Sequence, residues 1–252
     1  MSWIRFAVRG TLLALWSTLV HFVWLAVHLA LALAPAARRR WRRVVFRAWG
    51  RVVCPILGVR LEVHGEPPPR PFFLVCNHLS YLDIPLLASR LGARFVSKAD
   101  VADWPVVGRL ARSMGTIFVE RERKRRLLGV NDELERALAE GEGVVLFPEG
   151  TSTRGDEVRR FRPSLLEPAA RGAHPVHCAS LSYGTGPGDP PASLAVCWWG
   201  GMEFVPHVCA LLRLSRIEAR IDFAPETVRD PDRKLLAEKS WLEVREHFRP
   251  VA

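Results

Sequence analysis

The sequence predicts an α/β fold: a mostly parallel, mixed sheet covered by helices, preceded by an N-terminal membrane helix and an amphipathic interfacial helix. Three observations carry this. From residue 59 onward, short apolar runs alternate with longer segments of helical periodicity, the texture of strands joined by covering helices. Between Arg9 and Arg38 lie 28 residues without a charge, more than the ~20 that span a bilayer. Residues 40–57 then place Trp41, Val45, Ala48, Val52 and Ile56 on one side and Arg43, Arg47 and Arg51 on another. That is the pattern of a helix lying in a membrane interface; a surface helix packed on a globular domain is the competing reading.

The location of the charge excludes one class of function. The chain has 36 basic and 26 acidic residues, a formal net charge of +10. Ten arginines (Arg5, Arg9, Arg38, Arg39, Arg40, Arg42, Arg43, Arg47, Arg51 and Arg60) lie in residues 1–60 with no acid, so the remaining 26 basic residues balance all 26 acids. The excess sits in or beside the hydrophobic N-terminus, which suits an anionic membrane surface and argues against a nucleic-acid groove. Five cysteines (Cys54, Cys76, Cys178, Cys197, Cys209) form no Cys-x-x-Cys pair and no zinc spacing. In apolar contexts they read as buried thiols in a reducing compartment.

In chain order, the apolar stretch 10–37 is too long for a signal peptide, although Ala30-Leu31-Ala32 resembles a cleavage site; the arginine cluster that follows it is that of an anchor. Those arginines outnumber Arg5 and Arg9, so its C-terminal side is expected to face the cytoplasm. Ser17, His21, Trp24 and His28 share one helical face, which is expected to meet another helix or lipid headgroups. The expected strands are 59–64, 72–76, 94–97, 116–120, 144–147, 176–182, 194–198 and 216–223. The expected helices are 82–90, 106–113, 124–140, 164–170, 203–214 and 233–248. The Gly- and Pro-rich stretch 184–191 is expected to be an exposed loop. The division follows: 1–57 anchors the chain to a membrane, and 58–252 forms the α/β domain.

Three motifs fall at strand ends, where such sheets place ligands. The first is Asn77-His78-Leu79-Ser80-Tyr81-Leu82-Asp83. A neutral His78 can take a proton from a hydroxyl while Asp83 holds its tautomer and stabilises the imidazolium. Residues five apart diverge on one helix, so the pair requires His78 in a loop and Asp83 in the first helical turn. Ser80-x-x-Asp83 reads as a capping box, and Pro85 disfavours a helix extending back through His78. The second motif runs from Gly115 to Arg121; the strand delivers Arg121 to its end, where a guanidinium can grip a phosphate. The basic run 123–126 beyond it reads as a solvated helix start. The third is Phe147-Pro148-Glu149-Gly150-Thr151-Ser152-Thr153-Arg154-Gly155. Glycine, hydroxyls and Arg154 at a strand end suit an anion pocket, with Glu149 orienting the arginines or binding substrate hydroxyls. Gly150-x-Ser152 is not a serine-hydrolase elbow, because Arg154 stands where glycine is needed. No nucleotide-binding glycine fingerprint is present.

Together, Asn77-His78-x-x-x-x-Asp83, Gly115-x-Ile117-Phe118-Val119-x-Arg121 and Phe147-Pro148-Glu149-Gly150-Thr151 resemble the ordered blocks of the glycerolipid acyltransferase family, most of all its 1-acyl-sn-glycerol-3-phosphate acyltransferases. His174-Pro175-Val176 is similar to the weaker fourth block. The resemblance covers roughly 60–225, and the N-terminal anchor is also typical of the family. It implies an O-acyltransferase that moves an acyl group from a thioester on coenzyme A or acyl carrier protein to the hydroxyl of lysophosphatidic acid, giving phosphatidic acid. His78 would be the general base and Asp83 its orienter. Asn77, Arg121, Glu149, Gly150, Thr151 and Arg154 would form the acceptor site, with no metal, no cofactor and no covalent acyl-enzyme. The implied partners are membrane phospholipids, a lysophospholipid and the acyl donor, at the cytoplasmic face of a bacterial inner membrane. The family often has arginine directly after Phe-Pro-Glu-Gly-Thr, whereas Ser152 stands here. A lyso-ornithine lipid acceptor is therefore a second reading, and a non-catalytic lipid-binding protein a third. Trp198 and Trp199 are expected in the core rather than along an acyl groove, and His207 and Cys209 on a buried helix face.

Overall fold

The computed structural model describes residues 2–104, 107–119 and 124–251, the side chains of 124–131 excepted. Among these residues, seven strands form one sheet: β1 (Val59–His64), β2 (Phe72–Cys76), β3 (Arg94–Lys98), β4 (Ile117–Val119), β5 (Gly143–Leu146), β6 (Val176–Thr185) and β7 (Ile217–Val228). Their spatial order is β1-β7-β6-β2-β5-β3-β4. From β6 to β4 all neighbours are parallel, while β7 runs antiparallel to β6 and β1 runs parallel to β7. The sheet is thus mixed and mostly parallel, as the sequence predicts.

β2 lies at the centre, and its five residues are all buried. A strand covered on both faces has no solvent side to alternate with, which is why 72–76 is an unbroken apolar run. Phe72, Leu74 and Cys76 join one core cluster and Phe73 and Val75 the other. On one face pack α1 (Ser2–Ala30), α2 (Pro35–Ile56) and α3 (Asp83–Leu91). On the other lie α5 (Lys124–Ala139), α6 (Glu167–Arg171) and α9 (Arg233–His247), after α4 (Val107–Ser113), which follows β3; α7 (Ala192–Ala195) and α8 (Phe204–Leu211) come between β6 and β7.

One expected strand does not form. Residues 194–198 do not join the sheet; α7 ends at Ala195, and the N–H groups of Val196 and Cys197 both donate back to Ala192 O. Trp198 N–H donates to Leu79 O instead of to a strand. An apolar run this short suits either element, because burial alone does not separate short helices from strands. The expected helix 164–170 is a 3₁₀ turn (Pro163–Leu165) followed by the short α6.

The N-terminal helices form a hairpin laid on the α/β part. In α2, Val45, Phe46, Gly50, Val53 and Cys54 are buried. A Cβ on Gly50 would meet Pro85 O at 2.5 Å and Ser89 N at 2.7 Å, so α2 and α3 touch backbone to backbone. Arg42 and Arg43 pair with the buried Glu142, and Arg51 donates to Ser89 O. The face of α1 carrying Ser17, His21, Trp24 and His28 turns to α2: Trp49 Nε1–H donates to Ser17 Oγ, and His28 contacts Arg38. At the start of α1, Arg5 donates to Arg213 O and Arg9 to the carbonyls of Leu212, Leu214 and Ser215. The remaining face exposes Ile4, Val8, Leu12, Leu15, Leu19 and Phe22. By length and composition α1 is able to cross a membrane.

Candidate active site

The carboxyl ends of β2, β3 and β5 meet at one edge of the parallel block. His78 leaves β2 in a loop, and Asp83 is the first residue of α3. The capping box forms by half. Asp83 Oδ2 accepts the Ser80 N–H at 3.1 Å, but Ser80 Oγ accepts from Leu82 N–H rather than from the Asp83 amide. The half that forms points the carboxylate back over the loop, where Oδ2 also accepts from Leu79 N–H at 2.8 Å and contacts His78 Nδ1 at 2.6 Å. Asp83 Oδ1 accepts the Tyr183 hydroxyl at 2.6 Å. The carboxylate is fully buried, and the imidazole is 23% exposed. The ring of His78 stacks on Phe147 with centroids 4.2 Å apart. The Asp83 contact engages Nδ1 and leaves Nε2 as the second ring nitrogen of a side chain that lines the cavity, the arrangement a general base requires.

Motifs far apart in the chain are tied to the same backbone. Glu149 Oε1 accepts the His78 N–H at 2.8 Å, and Oε2 accepts the Arg159 N–H at 3.2 Å. Thr153 N–H donates to His78 O at 2.9 Å. The loop after β5 therefore grips both polar groups of the His78 main chain. Asn77 makes a similar pair of bonds across β6: its amide donates to Leu181 O and accepts from Leu181 N–H. The side chains of Asn77 and Glu149 thus fix the main chain around His78. Gly150, with φ +80°, lets the loop turn directly after Glu149, and Gly150 and Thr151 line the cavity. Ser152 Oγ donates to Trp198 O, and the exposed Arg154 lies over the Trp199 ring at 5.9 Å. Arg121 lies outside the described residues. The register pairs Val119, two residues before it, with Lys98. His174-Pro175-Val176 sits at the start of β6, where Val176 pairs with Phe73, at the far end of the sheet from His78.

Burial pushes the Glu149 carboxyl up to about 8; its two N–H bonds oppose that rise and the Asp83 charge adds to it. The folded state then holds a proton on Glu149 that the unfolded chain has released above its ordinary value of 4.5. Stability is therefore expected to fall as pH rises from about 4.5 to about 8, with this group contributing a slope approaching ~1.4 kcal/mol per pH unit. Urea midpoints measured across that range should show the slope, and Glu149→Gln should flatten it. An unchanged slope in the variant would assign it to another group.

His78 opens on a cavity of about 570 Å³, within the range of small-molecule sites. Its walls come from α1 (Val20, His21), α2 (Phe46, Trp49), residues of 95–104 and 107–116, and Trp198. At the mouth, Tyr81, Trp104, Trp198 and Phe204 pack edge to face, and Tyr81 OH is 3.0 Å from His207 Nδ1. Trp198 is thus a cavity wall, whereas the sequence places it in the core; His207 is buried and Cys209 half-buried. Lys98 and Asp100 also line the cavity. Sequence reasoning missed both, although a lysine ending a strand at the same sheet edge was a readable signal. Tyr183 left no such signal. Among the described residues, no group of three or more His, Cys, Asp or Glu side chains is placed to hold a metal ion.

The chain matches the Acyltransferase family over residues 60–182. It is 37% identical over 234 residues to the lyso-ornithine lipid O-acyltransferase of Rhizobium meliloti (strain 1021), covering 88% of this chain and 78% of that one. It is 26% identical to the 1-acyl-sn-glycerol-3-phosphate acyltransferase of Neisseria meningitidis serogroup B, covering 78% and 77%. The crystal structure of the 1-acyl-sn-glycerophosphate acyltransferase PlsC from Thermotoga maritima superposes with a TM-score of 0.62 at 20% identity, over 96% and 97% of the two chains, which speaks for the fold. The matched stretch runs from β1 into β6 and so contains the His78 loop, Asp83 and the Glu149 loop. By that match and by its likeness to the Rhizobium protein over most of both chains, this chain belongs to the acyltransferase family.

Proposed function

We propose that this acyltransferase esterifies the hydroxyl of a lysolipid at a membrane surface, with lyso-ornithine lipid as acceptor. The observation that carries the chemistry is the His78 Nδ1–Asp83 Oδ2 contact, which leaves Nε2 facing the cavity. His78 Nε2 takes the acceptor's hydroxyl proton as the oxygen attacks the thioester carbonyl. The C–S bond breaks, and the departing sulfur takes that proton to leave as a thiol. The donor is an acyl thioester of coenzyme A or acyl carrier protein, and the chemistry calls for no other cofactor. The acyl chain occupies the apolar cavity, whose wall includes α1 and α2. Arg121, Lys98, Thr151 and Arg154 are the side chains proposed for the acceptor headgroup, with Gly150 supplying room. Asn77 and Glu149 serve it by fixing the loop beneath.

The acceptor is argued from the Rhizobium likeness and from Ser152, whose hydroxyl is bound to Trp198 O. An ornithine headgroup carries no phosphate and needs one cation fewer. Lysophosphatidic acid is the competing acceptor, in keeping with the Neisseria likeness. Purified protein should release thiol from an acyl thioester with lyso-ornithine lipid at least tenfold faster than with lysophosphatidic acid. The reverse ranking would make phosphatidic acid the product; no acceptor-dependent release would leave only a lipid-binding protein.

Residues 1–57 act as the membrane-contacting part and 58–252 as the acyltransferase part, at the cytoplasmic face of a bacterial inner membrane. Because Arg5 and Arg9 hold the start of α1 against residues 212–215, α1 lies in one leaflet rather than crossing. A cysteine placed at Ser2 is expected to react with an impermeant reagent only when inside-out vesicles are used, like one placed at the exposed Asp156. Labelling of the two from opposite sides would establish a span.

A further inference from the structure

We propose that Tyr183 is a positioning residue for the His78–Asp83 pair, acting through its hydrogen bond to Asp83 Oδ1; this rests on the reading of His78 as the general base. Asp83 is a carboxylate with no solvent contact. A carboxylate out of reach of water needs hydrogen-bond partners in its place, and four groups supply them: His78 Nδ1, the amides of Leu79 and Ser80, and the Tyr183 hydroxyl. Both amides and the imidazole lie on the Oδ2 side. Among the described residues, Tyr183 is the partner on Oδ1, and its bond fixes the rotation of the carboxylate about Cβ–Cγ.

The fold makes Tyr183 a rigid partner. It sits on β6 opposite Ala219 of β7 and is buried. Two residues earlier on the same strand, Leu181 is clamped by Asn77. The distance between the phenol and the His78 loop is therefore set by backbone on both sides. Burial, the Asp83 charge and the bond to Asp83 all hold the phenol's proton on, so Tyr183 donates and does not titrate. The other titratable groups facing this cluster are Cys76 on β2, Glu149 after β5, Cys197 after α7 and Cys54 on α2. Burial raises all four.

Removing the Oδ1 donor frees the carboxylate to turn about Cβ–Cγ, so Oδ2 no longer holds Nδ1 in place and the imidazole loses its fixed tautomer and aim. Tyr183→Phe preserves the ring and removes only the hydroxyl. In the full-length enzyme, kcat is expected to fall about tenfold, the scale of one charge-assisted hydrogen bond, with KM for either substrate little changed. Combined with Asp83→Asn, Tyr183→Phe should cost nothing beyond the Asp83→Asn loss. As a readout independent of turnover, the ¹⁵N shifts of the His78 ring in detergent should show the Nδ1–H tautomer giving way to a mixture. An unchanged His78 tautomer, or the same tenfold loss on top of Asp83→Asn, would show that Tyr183 merely fills space. Failure of the general-base reading is separate: it is a His78→Ala variant that still turns over.

Discussion

Replacing His78 with alanine is expected to lower turnover by about 10³-fold or more, the range that general base catalysis supplies, while leaving the fold and membrane association in place. The side chain contributes little to the core. It is partly exposed and stacks on the Phe147 ring, and Asp83, which it also contacts, keeps its Leu79, Ser80 and Tyr183 donors when the imidazole is removed. The ties that hold the loop use the His78 backbone, through Glu149 and Thr153, and these survive side-chain truncation. Asp83→Ala is a poorer test of chemistry. Removing a fully buried carboxylate strands the Leu79 and Ser80 amides and the Tyr183 hydroxyl together, and unsatisfied buried donors each cost ~1–3 kcal/mol. Turnover of purified His78→Ala within tenfold of wild type would remove His78 from the mechanism.

The second large effect is structural. Gly50→Leu is expected to destabilise the protein by roughly 3 kcal/mol or more, the upper range for overpacking. The added Cβ meets the backbone of Pro85 and Ser89, which has no rotamer to give way. To relieve it, α2 must move off α3, and α2 carries Phe46 and Trp49 of the cavity wall. Against a typical total stability of ~5–15 kcal/mol, the loss should appear as a large drop in Tm in detergent. The remaining folded protein should have weakened acyl-donor binding. A variant with unchanged Tm would mean that the two helices are not seated against each other.

What the sequence disclosed was local, and what it withheld was through-space. The central strand is legible because a doubly covered strand is apolar at every position. His78 in a loop and Asp83 in the first helical turn are legible because Pro85 and the five-residue spacing leave no other arrangement. Glu149 stands out in the sequence, but its partner does not. Its carboxylate reaches an amide 71 residues earlier, and that contact exists only because β5 lies directly beside β2. Asn77 and Tyr183 depend in the same way on β6, which follows β2 by about a hundred residues yet lies against it. The strand expected at 194–198 fails for the opposite reason. Its apolar composition does signal burial, but Ala195, Val196 and Cys197 reach the core from the end of a short helix rather than from a sheet.

The grip of Arg5 and Arg9 on residues 212–215 has a consequence for the order in which the molecule is made. The carbonyls that receive Arg9 are synthesised about 200 residues after it, roughly 10–40 s later at ~5–20 residues per second. For that interval α1 lacks the partner that fixes its orientation. Lipid is the solvent that suits its apolar face meanwhile. A helix apolar enough to enter a bilayer is thus made before residues 212–215 exist, and the contacts of Arg5 and Arg9 can close only after them.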